Sequence, residues 1–79
     1  MIQQIINNGT YKFQGNVSDF KRCISSFKII KVIQDGECLG IKFFEAIGQF
    51  KYHGIIYTVQ LSKSLANEDV LFIKCLGGN

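Results

Sequence analysis

The chain has 79 residues and a mass of 8.9 kDa, with 47% hydrophobic residues, 19% charged residues and a formal net charge of +3. This length bounds the chain to one small domain, and the apolar content excludes intrinsic disorder. No apolar run approaches the roughly 20 residues of a membrane span, and the N-terminus lacks the pattern of a secretory signal. We therefore expect a single compact cytoplasmic domain over residues 1–79, with no membrane contact.

The apolar composition favours strands over helices. Twelve Ile, four Val and seven Phe stand against two Ala and five Leu. Side chains that are aromatic or branched at Cβ fit a pleated, half-buried surface better than the surface of a helix. Most of the chain is therefore predicted to form β-strands.

The first strand signals lie on either side of Asn7-Asn8-Gly9. Residues 2–6 and 10–14 are short runs that carry apolar side chains, and an Asn-Gly pair supplies the positive φ angles of a tight turn. The pattern predicts either a hairpin or one long bent strand.

A helix is predicted next, over about residues 17–27. Asn16 precedes it as the N-cap, and Asp19 lies in its electropositive first turn. Its apolar residues are spaced so that they share one side of a helix: Val17, Phe20, Ile24 and Phe27.

The clearest hairpin signal is Asp35-Gly36, which separates the strand-like runs 28–34 and 37–45. An Asp-Gly pair between two apolar runs favours a two-residue turn. A further turn near Gly48-Gln49 leads into a third strand over about residues 50–61.

After a polar loop over residues 62–69, the last strand is predicted over 70–76. The fold class that follows is α+β: a four- to five-stranded, mainly antiparallel sheet with one α-helix (about 17–27) packed on it.

Both faces of the predicted meander carry apolar residues. One helix covers one face, and a large uncovered apolar face is unusual in a monomer. The second face must then meet the N-terminal segment, another copy of the chain or a different partner. The alternative is a sheet that curls around its own core as a small barrel.

The residues that carry catalytic or metal chemistry are few and dispersed. His53 is the one histidine, and it falls inside a predicted strand. Cys23, Cys38 and Cys75 lack the local pairing of zinc ligands, so they are predicted to be buried, reduced thiols. Glu68-Asp69 is the close carboxylate pair, and it falls in the polar loop. The sequence therefore predicts no enzyme, no metal and no cofactor.

The positive charge is concentrated in the N-terminal half, where Lys21, Arg22, Lys28 and Lys31 form a local cluster. Basic groups combined with aromatic platforms are what single-stranded nucleic acid requires of a protein. Lysines scattered for solubility explain the same composition.

These observations favour a small non-catalytic protein-binding module, an inhibitor or adaptor that acts on a larger protein through an apolar sheet face or edge. Immunity proteins and phage-encoded anti-defence proteins of the anti-CRISPR type are built at this size. The predicted partner-face residues are Phe44, Tyr52 and Tyr57.

The uncovered face also predicts a twofold homodimer. The alternative function is a small basic nucleic-acid-binding domain that uses Lys21, Arg22, Lys28 and Lys31. A third interpretation is a structural subunit of a symmetric assembly.

Overall fold

A computed structural model describes residues 1–67 and 69–79 of the chain. Within these residues, two helices and five strands follow one another: α1 (Ile2–Asn8), β1 (Thr10–Gln14), α2 (Val17–Cys23), β2 (Lys28–Cys38), β3 (Ile41–Tyr52), β4 (Ile55–Lys63) and β5 (Val70–Gly78). The strands form one antiparallel sheet in the order β1-β5-β4-β3-β2. The predicted α+β class is confirmed.

The N-terminal segment is a helix, so the strand predicted over residues 2–6 is wrong. Gly9 has a φ of 76° and its N–H donates to the Ile5 carbonyl at 3.0 Å, which ends α1 with a left-handed cap. The positive φ that suggested a hairpin turn therefore terminates a helix instead. Residues 10–14 form the predicted strand.

The second helix begins as predicted and ends earlier, at Cys23 rather than near residue 27. Asn16 caps it: its side chain accepts from the Asp19 N–H, and the Asp19 carboxylate accepts from the Asn16 N–H. Beyond the helix, the Ser26 hydroxyl pairs with both backbone groups of Lys51 on β3. This contact fixes where the chain enters β2.

The two-residue turns lie at Leu39-Gly40 and His53-Gly54, so both predicted turn positions are wrong. In each observed turn the two residues have positive φ, between 51° and 79°, as a hairpin turn with strand-like twist requires. Asp35-Gly36 lies inside β2, where Gly36 faces Phe43 across the strands. Gly48 lies inside β3 opposite Val59.

These turns change which residues share a face of the sheet. Because β3 runs from residue 41 to 52 without a turn, Ile41 and Phe43 lie on the face opposite to Phe50 and Tyr52. The turns predicted at Asp35-Gly36 and near Gly48-Gln49 would instead place all four on one face. One face of the sheet is therefore less apolar than expected.

Both helices pack on the same face of the sheet. Ile5 of α1 and Phe20 of α2 are fully buried there, and the Phe20 ring meets the rings of Phe13 and Phe27 edge-on at 5.2 Å and 4.9 Å between centroids. The strands contribute these residues to the same core: Phe13, Phe50, Val59, Leu61, Leu71 and Ile73.

The β2–β3 hairpin extends beyond the rest of the sheet. β4 pairs with β3 only from Glu45 to Tyr52, so residues 35–44 form a two-stranded ribbon. The molecule measures 42 × 21 × 20 Å. Within the described residues β1 and β2 end the sheet without pairing to each other, so no barrel closes.

Candidate binding surfaces

The side chains that could carry catalysis or bind a metal do not converge. Among residues 1–67 and 69–79, no three His, Cys, Asp or Glu side chains are grouped as metal ligands would be. His53 lies in the turn after β3 rather than inside a strand, and its exposed ring meets Tyr52 edge-on at 4.1 Å between centroids. Asp69 is exposed, and Glu68 lies outside the described residues.

The three cysteines are free thiols, but they are not buried as predicted. Cys23 and Cys38 are exposed, and Cys75 is half-buried. Cys23 ends α2 and Cys38 lies beside the tip of the ribbon. Neither position reaches the core between helices and sheet.

Phe44, Tyr52 and Tyr57, the predicted partner-face residues, are half-buried on the side of the sheet that the helices cover. Tyr57 stacks on Phe50 with 5.6 Å between ring centroids. Tyr52 packs against the core at one end of β3, whereas Phe44 lies in the ribbon. The structure therefore does not bring the three into one exposed patch, and their role in binding stays a prediction.

Phe44 lines an open groove of about 430 Å³ between the start of α2 and the ribbon. Charged residues of both signs line the same groove: Asp35, Glu37, Lys42 and Lys63. The groove is therefore neither strongly apolar nor of one charge.

Five large apolar side chains that are exposed to solvent follow β2 and the ribbon. We call them the apolar edge, and their exposed fractions lie between 44% and 97%: Ile30, Val32, Ile33, Leu39 and Ile41. The Leu39 side chain, at the ribbon tip, is 97% exposed. β2 is also the last strand of the sheet, so backbone groups on its outer side face away from β3.

Two breaks in the β2–β3 register explain part of this exposure. Ile30 and Ile33 fall at these breaks, which are β-bulges in β2. A bulge adds a residue to one strand and turns side chains away from the regular pleat. The bulges therefore place two isoleucines on the surface at the edge of the sheet.

The face of the sheet opposite the helices, which we call the open face, is strongly basic. Strand alternation places five exposed lysines on it: Lys12, Lys28, Lys31, Lys51 and Lys74. Within residues 1–67 and 69–79, the strand positions of this face carry one carboxylate, Glu45. Phe72 also lies on this face and is 46% exposed.

The structure divides the predicted basic cluster. Lys28 and Lys31 lie on the open face, whereas Lys21 and Arg22 are exposed on α2, in the layer that covers the other face. Arg22 forms an ion pair with Asp19. The Asn16 N–H, and then Arg22, hold the pKa of Asp19 below its ordinary value of 3.8.

The sequence predicted binding through an apolar sheet face or edge, but not which residues form the apolar edge and the open face. The alternation Leu71, Phe72, Ile73, Lys74 separates two buried residues from two exposed ones and could have placed Phe72 with Lys74. The apolar edge depends on the bulges in β2, which no local pattern marks.

Comparisons of the chain with protein-family models, with curated proteins and with solved structures find no match. In the described part of the chain, no helix has the length and apolar character needed to cross a membrane. The function is therefore inferred from the apolar edge and the open face.

Proposed function

We propose that this chain is a small non-catalytic protein-binding module, an inhibitor or adaptor, that engages a larger protein through the apolar edge. The observation that carries the proposal is the exposure of five large apolar side chains along one terminal strand and its ribbon. Clustered exposed apolar side chains are typical of surfaces that other proteins cover.

The edge offers two kinds of contact to a partner strand. The outer backbone groups of β2 can form hydrogen bonds with an added strand, and the apolar side chains can fill pockets beside it. Val32 is 52% exposed and follows Lys31 directly, so an apolar and a basic side chain are neighbours on this strand.

The same edge is the basis for proposing a homodimer in the purified protein. Two β2 strands that run antiparallel can pair about a twofold axis, so the same residues meet in both copies. The bulges and Lys31 are features that oppose open-ended aggregation along this edge.

The mass of the purified protein in solution tests the proposed homodimer. Light scattering at micromolar concentration is expected to give about twice 8.9 kDa for the parent chain. The double variant Val32→Lys, Ile33→Lys is expected to give the monomer mass, because charged side chains oppose edge pairing.

Leu65→Lys with Leu76→Lys is the matched control. It also replaces two exposed apolar residues with lysine, but in the loop after β4 and in β5. The control is expected to keep the mass of the parent. A monomeric parent, or equal dissociation in both double variants, would contradict the proposed homodimer.

A further inference from the structure

We propose that the open face binds single-stranded nucleic acid, with Lys12, Phe72 and Lys74 at the centre of the site. These three residues lie on β1 and β5, at the opposite end of the sheet from the apolar edge on β2. The inference therefore stands independently of the proposed protein contact.

Charge is the first argument. The five lysines of the open face are all exposed, whereas its Glu45 is half-buried. Cross-strand pairing aligns Glu45 with Ser62 and Gln34 rather than with a lysine. The lysines of this face are therefore available to a polyanion, and a nucleic-acid backbone is the polyanion whose affinity rests on such contacts.

The arrangement around Phe72 is the second argument. Lys12 lies directly opposite Phe72 on β1, and Lys74 lies two residues further along β5 on the same face. These three residues line a depression of about 500 Å³ together with Thr10, Gln60 and Ser62. A half-exposed ring between two lysines can stack on a base while the lysines contact the flanking phosphates.

The face continues across the sheet from this depression. One row of paired residues crosses four strands and contains Lys74, Gln60, Ile47 and Lys31. The two lysines of this row are three strand spacings apart, which is roughly 14 Å. A second depression of about 270 Å³ is lined by Lys28, Lys51 and other residues. Lysines therefore recur along a path that an extended strand can follow.

Polar side chains lie between the lysines, together with the apolar residues Ile47 and Ile56. The Gln49 amide donates to the Thr58 hydroxyl at 3.2 Å, and Gln60 and Ser62 lie nearby on β4. Amides and hydroxyls form hydrogen bonds with the base edges and sugars of unpaired nucleotides. These polar groups beside the lysines favour an unpaired nucleic-acid strand as the ligand of this face.

Fluorescence anisotropy with a labelled oligothymidylate of about 12 nucleotides tests the inference. Titrations at several salt concentrations between about 50 and 200 mM give the slope of log affinity against log salt. Lys12→Gln with Lys74→Gln is expected to weaken binding and to reduce the magnitude of that slope by about 1.4, or about 0.7 for each lost phosphate contact.

The matched control is Lys21→Gln with Arg22→Gln. It removes the same charge from α2, outside the open face, and is expected to leave the salt slope of the parent unchanged. Equal losses in the two double variants would show that net charge alone drives binding, and would overturn the inference.

Phe72→Leu tests the stacking contact, and Phe72→Tyr restores a ring. Because Leu keeps an apolar side chain on the strand, the fold is expected to persist, and circular dichroism checks it. Affinity is expected to fall roughly tenfold for Leu and to return with Tyr.

Absence of salt-dependent binding by the parent, or equally tight binding to vesicles of anionic lipid, would also overturn the inference.

Discussion

Gly48 lies in the middle of β3, directly beneath the ring of Phe27. A Cβ added there would lie 2.5 Å from two carbons of that ring and 3.0 Å from the Lys28 carbonyl oxygen. The Phe27 side chain is 7% exposed and closes the end of the core, so it has little room to move. The absence of a side chain at Gly48 therefore allows Phe27 to cover the sheet.

We expect Gly48→Ala to lower the free energy of unfolding by about 1–3 kcal/mol, because the added methyl group overpacks this contact. Urea unfolding followed by circular dichroism measures the change. Gly36→Ala is the control, since the nearest atoms there belong to the half-exposed ring of Phe43, at 3.1 Å or more. Equal urea midpoints of unfolding for Gly48→Ala and the parent would contradict this packing of Phe27 on Gly48.

Among single residues, those with local roles were predictable. The Asn16 cap and the place of Asp19 in the first turn follow from spacing within four residues. The sequence predicts a turn at Gly48, because the contact of this residue with Phe27 is absent from any local pattern. Phe27 is brought to Gly48 only by the return of β2 along β3.

At the scale of elements, α2 depends on a charged capping group. The Asp19 carboxylate accepts from the Asn16 N–H at 3.0 Å and pairs with Arg22. Both contacts favour the ionised form and lower the pKa of Asp19 in the folded state. The ionised Asp19 carboxylate therefore stabilises the folded state at any pH above the unfolded-state pKa, near 3.8. This stabilisation is lost as the pH falls through the lower folded-state pKa of Asp19.

Asp19→Asn is accordingly expected to lower stability near neutral pH and to make a much smaller difference once the parent carboxylate is protonated. Thermal unfolding of both proteins across the acid range measures this pH dependence. Asp35→Asn, an exposed carboxylate in the ribbon, serves as the charge-matched control. An equal loss of thermal stability in Asp19→Asn at acid and at neutral pH would contradict this role of the Asp19 carboxylate.

The turns show why element boundaries were harder to predict than element types. Asp35-Gly36 and Leu39-Gly40 compete for the same hairpin, and local turn preference favours the first. The observed register instead opposes Ala46 to Leu61 and Phe50 to Tyr57, which buries their face beneath the helices. Long-range burial therefore selects the turn, and Phe43 covers Gly36 within the strand.

At the scale of the whole molecule, the α+β class was predictable because it depends on composition and on one amphipathic helix. The two exposed surfaces were not predictable to the same extent. The positions of two turns and two bulges determine which face of the sheet each residue lies on. A shift of one residue at any of them moves the residues that follow to the opposite face.

The apolar edge and the open face give the molecule two surfaces of different chemistry. The edge exposes large apolar side chains on a terminal strand, and the open face exposes lysines around Phe72. The central proposal is that the β2 edge is covered by another protein chain. A second copy is the partner available in the purified protein.

Amide hydrogen exchange at several protein concentrations tests that proposal most directly, because it compares the two terminal strands of one sheet. We expect amide exchange in β2 (Lys28–Cys38) to slow as the protein concentration rises, and amide exchange in β1 (Thr10–Gln14) to stay constant. Exchange in β2 that is independent of concentration, or concentration-dependent protection of β1 instead, would contradict it.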